Sequence, residues 1–155
     1  MAPEDNDDEQ VHSDLVEYLV IQFPDIASLT AVGPALHSLV ATNTIRILDV
    51  VAVTTDELGG VRELPLETIG FVPPLPSCAH SNGSLLSEHD IRLAALALAR
   101  GTAGLVLVAE DRWAVPLSAG ARRVGGRITA GERVPHHRVE RALAVGPERG
   151  GDRND

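Results

Sequence analysis

The stretch Ile45-Arg46-Ile47-Leu48-Asp49-Val50-Val51-Ala52-Val53, with the turn Asp56-Glu57-Leu58-Gly59-Gly60 and the run Val61-Arg62-Glu63-Leu64 behind it, decides the fold. Its first part is rich in β-branched residues and apolar on both faces, the pattern of a strand inside a sheet rather than at its rim. Two glycines then mark a turn, and the shorter run carries apolar residues at its ends with Arg62 and Glu63 between them. Together they read as a β-hairpin.

Working outward from the hairpin, residues 15–23 are rich in β-formers (Val16, Tyr18, Val20, Ile21, Phe23) and stop at Pro24, which cannot donate to a ladder. Between this strand and the hairpin, Val32, Leu36, Leu39 and Val40 recur at helical spacing. Pro34 is compatible with a helix that begins within about a turn of it. On the other side, a Pro- and Gly-rich loop over 70–84 leads to a well-marked helix over 87–100. Ser87 is its N-cap, Asp90 completes a capping box, and Leu86 is placed to staple onto Ile91. Arg100-Gly101 ends it, and 103–109 is a buried-type strand. The order β-α-β-β-α-β is that of the ferredoxin-like split βαβ fold, within the α/β (α+β) class. That fold sets strand one beside strands three and four, with both main helices on one face.

A C-terminal α-β-α extension follows. Trp113, Leu117, Ala121 and Val124 form the apolar stripe of a third helix, closed by Gly125-Gly126. Residues 127–134 read as an edge strand, and Pro135 opens a last helix through Val139 and Leu143. Trp113 is expected to plug the core, with Asp111 capping its helix and Arg112 facing solvent. One domain over 14–145 is expected, between a disordered acidic tail (1–13) and a second disordered tail (146–155), neither contributing to the packed structure.

Charge is unevenly spread. The net charge is −9 and all 13 basic residues are Arg, yet residues 1–90 carry 15 acids against two Arg and residues 91–155 carry seven acids against 11 Arg. No dense basic run appears, and aromatic residues are 3% of the chain, so nucleic-acid binding is not expected. The single Cys78 excludes an internal disulfide, the acidic start is unlike a secretory leader, and no apolar run is long enough for a membrane span. A cytoplasmic protein without membrane contact is the expectation.

Chemistry-bearing patterns are sparse. Cys78 and His80 are near neighbours in an irregular loop, where i and i+2 side chains have no fixed geometry, so they make a weak nucleophile–base pair. His12, His37, His80, His89, His136 and His137 show no i, i+4 spacing, and no phosphate-cradling glycine motif is present. No metal, cofactor or catalytic residue is therefore assigned. The remaining constellation comes from topology: in a split βαβ sheet, strands one and two begin where strands three and four end. This places Glu17, Tyr18, Arg46, Glu67, Glu110 and Trp113 along one rim as candidate binding residues.

Several stretches resemble a family of small actinobacterial proteins catalogued as a domain of unknown function. They are Gln22-Phe23-Pro24, Thr44 through Asp49, Gly83 through Ile91 and Glu110 through Pro116. The resemblance covers roughly residues 16–135 and implies a ferredoxin-like fold and a bacterial cytosol, with no activity attached. Gln22 stands where the pattern has a carboxylate, and the loop 71–80 is particular to this chain.

The residues thus point to a non-enzymatic interaction or ligand-sensing module, homo-oligomeric or bound to another protein through the helix over 87–100 or an edge strand. The helix carries a second apolar stripe (Leu93, Leu96, Ala97) that something must cover. The alternative is a small enzyme using the carboxylates Glu17, Glu67 and Glu110.

Overall fold

The computed structural model describes residues 10–75 and 85–145. Cys78, His80 and most of the 70–84 loop lie outside the described residues, as do residues 1–9 and the tail 146–155.

Four strands form one antiparallel sheet: β1 (Val16–Phe23), β2 (Arg46–Thr55), β3 (Val61–Leu64) and β4 (Ala103–Glu110). Their spatial order is β1-β4-β2-β3. The two strands that are apolar on both faces, β2 and β4, occupy the centre, and every residue of β4 is buried. The hairpin appears as expected, with Thr55 opposite Val61 and Ala52 opposite Leu64. Asp56 shapes its turn by accepting from the backbone N–H groups of Leu58 and Gly60.

Antiparallel pairing throughout makes β1 parallel to β2 with β4 between them, and β3 parallel to β4 with β2 between them. Two interleaved split βαβ units are therefore present. The strand order nevertheless departs from the expected one, because among the described residues β1 pairs with β4 alone and forms an edge. β4, apolar on both faces, takes the interior place, while β1, which carries Glu17 and Gln22, lies at the edge.

The helices also divide between two faces instead of sharing one. On the first face, α1 (Ile26–Thr30) and α2 (Gly33–Ala41) bring Leu29 and Leu36 onto Ile47, Val50, Ala52, Leu105 and Leu107. Asp25 caps α1 through Ser28 N at 2.7 Å. A short 3-10 turn over Leu66–Ile69 joins this face through the buried Ile69. Gly33 is required here, because a Cβ at that position would meet the Ile69 carbonyl oxygen.

On the second face, α3 (Glu88–Leu96) packs Ala94 and the following Leu98 against Leu48, Val51, Val53, Val106 and Val108. The Ser87–Asp90 capping box forms as its sequence requires. The helix is shorter than expected, ending at Leu96 before a turn to Gly101, whose φ is +71°. Gln22 accepts from Ala99 N at 2.7 Å and so ties β1 to that turn. A bulge in β2, with Ile47 opposite Ala109 and Asp49 opposite Val108, gives the buried Asp49 its place. Its carboxylate accepts from Val50 N and from Leu86 N, each at 2.8 Å, which fixes the approach to α3.

The C-terminal region holds α4 (Val115–Arg123) and α5 (His136–Ala144), with no strand between them. The segment expected as an edge strand makes no ladder. At the other end, the packed chain begins earlier than expected: Val11 joins the second-face core and His12 is buried, so residues 11–13 are not part of a tail.

Candidate functional site

Glu110, the last residue of β4, sits in the centre strand with Val16 of β1 opposite it on one side and Arg46 of β2 on the other. Its side chain is fully buried. Arg112, two residues on and brought round by the 3-10 turn Arg112–Ala114, places Nη1 3.0 Å from Oε1. Arg46 Nε lies 3.6 Å from the same oxygen. The His12 backbone N–H donates to Oε2, and the His12 ring Nδ1 is 3.4 Å from it. Burial by itself pushes a carboxyl pKa up. The His12 N–H, the Arg112 hydrogen bond and the charges of Arg46 and Arg112 outweigh that effect and hold Glu110 below the usual glutamate range. The result is a desolvated carboxylate, favoured in its ionised form, that joins the N-terminal segment, two strand ends and the turn into α4.

A second contact reinforces the same corner. Ser118, buried on the inner face of α4, donates to Asp14 Oδ2 at 3.0 Å, and Arg122 Nη2 is 3.3 Å from Oδ1. Asp14 therefore pins α4 to the start of β1.

The six rim candidates do not form one site. Arg46 and Glu110 are joined, as described. Tyr18 shares the face of Glu110 by register, opposite Val108, and is half-exposed. Partial burial, aided by the negative charge of Asp90, raises its pKa. Glu17 is opposite Ala109 and so belongs to the other face of β1, where it is exposed. Glu67 is exposed in the 3-10 turn after β3. It fails to join because β3 stops opposite Ala52, six residues along β2 from the rim residue Arg46. Trp113 is exposed instead of plugging the core, and Arg112 is buried instead of facing solvent. Asp111 makes no side-chain cap. The inner face of α4 is made of Ala114 and Ser118, whose small side chains bring the helix close to the sheet corner and turn Trp113 and Leu117 outward.

That outward turn creates a cleft of about 510 Å³ lined by Asp14, Glu17, Asp111, Trp113, Leu117 and the segment 128–132. Its lining contains no histidine or cysteine. Among the described residues no three His, Cys, Asp or Glu side chains come together to hold a metal ion. No helix among them is long and apolar enough to cross a membrane.

Sequence reasoning missed His12, Arg112 and the Asp14–Ser118–Arg122 contact. Arg112 lies past the end of β4, in the 3-10 turn Arg112–Ala114, where strand periodicity no longer says which way a side chain points. Asp14 and Ser118, 104 positions apart, carried no local signal. Comparison with protein-family models, with curated proteins and with solved structures returned no match.

Proposed function

We propose that this chain is a non-enzymatic interaction module of the cytosol that works through homo-oligomeric or protein–protein contact. One observation carries the reading. Large apolar side chains that the sequence pattern marks for burial stand open: Leu93 is 52% exposed, Leu96 82%, Trp113 64%, Leu117 64% and Leu143 78%. Single exposed hydrophobics are ordinary, but repeated ones at helical spacing on three helices mark contact surfaces. The enzyme alternative has no comparable support. Of its three carboxylates, Glu110 is sealed and neutralised by arginines, while Glu17 and Glu67 lie on separate parts of the molecule.

The test is sedimentation of the purified chain together with identification of what copurifies with it from its source. The reading expects an assembly that is lost when Leu93→Asp, Leu96→Asp or Leu117→Asp is introduced without loss of folding. A monomer carrying a small molecule that it converts, with conversion abolished by Glu17→Gln, would overturn it.

A further inference from the structure

Four parts of the chain wall the cleft beside Trp113. The turn after β4 supplies Asp111 and Trp113, α4 supplies Leu117, and the start of β1 supplies Glu17. The last wall is the irregular segment 128–132. Its Ile128 lines the cleft and is the one partly buried residue between 125 and 145. The volume of about 510 Å³ falls within the range of about 300–1,000 Å³ common to sites that hold small molecules.

The charges around this cleft have one sign. Asp14, Glu17, Asp111 and Glu132 line it, and no arginine or histidine does. Asp14 is already matched by Ser118 and Arg122. Glu17, Asp111 and Glu132 make no ion pair among the described residues. Arg133 lines the adjoining cavity with Glu17 and Glu132, yet forms an ion pair with neither. Asp111 is partly buried, and its side chain does not cap the turn that it precedes. A carboxylate that has lost part of its hydration gains from a nearby cation.

The indole is a separate observation that points to the same guest. Trp113 is the only tryptophan of the chain, lines the cleft and is 64% exposed. Tryptophan attracts cations to its ring face more strongly than the other aromatic residues do, and quaternary ammonium groups above all. A metal ion is poorly served here, since among the described residues no three His, Cys, Asp or Glu side chains come together to hold one. Carboxylates spread around an apolar floor suit a charge carried on a carbon framework instead.

We infer that this cleft binds a small organic cation, an ammonium or quaternary ammonium group on an apolar stem. The charge lies against Trp113 and Asp111, with Glu17 and Glu132 about it, and the stem rests on Leu117 and Ile128. This goes beyond the interaction-module reading, whose contact surfaces stand also on Leu93, Leu96 and Leu143.

Trp113 fluorescence reports on the site alone, because the chain has no other tryptophan. Choline and spermidine are titrated into the full chain at constant ionic strength. The control is the uncharged isostere of choline, in which carbon replaces the ammonium nitrogen. At least one of the two cations should change the emission saturably, and the isostere should not. Asp111→Asn and Glu17→Gln should each weaken binding about fivefold or more while the circular dichroism is unchanged. Glu132→Gln serves the same test should either fail to fold. In calorimetry Trp113→Leu should abolish the binding heat, and Trp113→Phe, which keeps a ring, should retain part of it. An emission change that sodium chloride reproduces overturns the proposal, as does an equal response to the isostere. So does binding that all three carboxylate variants leave intact. An arginine-rich peptide that binds where neither free cation does also overturns it, and makes the cleft a protein contact. Sedimentation separates the two readings: an assembly lost through Leu117→Asp, with emission indifferent to both cations, sinks the ligand site and leaves the contact reading standing. Cation binding by a chain that never assembles does the reverse.

Discussion

Arg46 and Glu110 stand opposite each other across the β2–β4 ladder, with Nε 3.6 Å from Oε1 and the carboxylate fully withdrawn from solvent. Desolvating a carboxylate costs several kcal/mol, and its partners return that energy only if all stay in place. Arg112 and the His12 N–H complete the set, so three parts of the chain converge on the one side chain that ends β4. The corner acts as a lock between the N-terminal segment, β2, β4 and the approach to α4.

Replacing Glu110 by Gln should therefore unfold the protein more readily, by about 3–5 kcal/mol, because the two guanidinium groups lose their shared counter-charge in a buried place. Urea denaturation of the variant and parent measures this. A change under about 1 kcal/mol would show that the cluster is not under tension.

The same carboxylate makes stability depend on pH. Its folded-state pKa lies below the unfolded value, so the folded state holds fewer protons on this group in the acid range. The contribution is fully present above about pH 4.3, the ordinary glutamate value, and is lost as pH falls through the lower folded-state value. Thermal unfolding followed from pH 6 downward should show the parent losing stability more steeply than Glu110→Gln. Parallel curves would refute the assignment.

Removing residues 1–12 should destabilise the domain, contrary to what an acidic, tail-like composition suggests. The His12 N–H bonds a charged group, and such bonds contribute about 1.5–3 kcal/mol. Val11 also packs on the second-face core. An unchanged melting temperature after this truncation would show that neither contact matters in solution.

Gly33→Ala should cost about 1–3 kcal/mol, the usual range for forcing a methyl into a packed place. The obstacle is the Ile69 carbonyl oxygen, which belongs to backbone and has little freedom to yield. Equilibrium denaturation checks the value, and a neutral result would mean that the 3-10 turn moves aside without resistance.

Much of this molecule follows from the sequence alone, and the reason is locality. Interior strands β2 and β4 declare themselves by being apolar on both faces, the hairpin by its Gly59-Gly60 turn, and α3 by the Ser87–Asp90 box, since each signal spans fewer than about ten residues. The pairing of Arg46 with Glu110 does not follow from such local signals, because the expected order keeps strands two and four apart and only the observed β2–β4 ladder brings the start of one to the end of the other. Tertiary structure decided what depends on competition between distant segments. Which strands neighbour one another was such a case: β4 pairs with both β1 and β2, leaving β1 at the edge. The orientation of α4 was settled by Ser118 reaching Asp14, a contact 104 positions apart, which turned Ala114 inward and Trp113 outward. Helical periodicity identifies an apolar stripe but is silent on whether the chain's own sheet or another molecule covers it. At α4 the inward places are taken by Ala114 and Ser118, so Trp113 and Leu117 face outward.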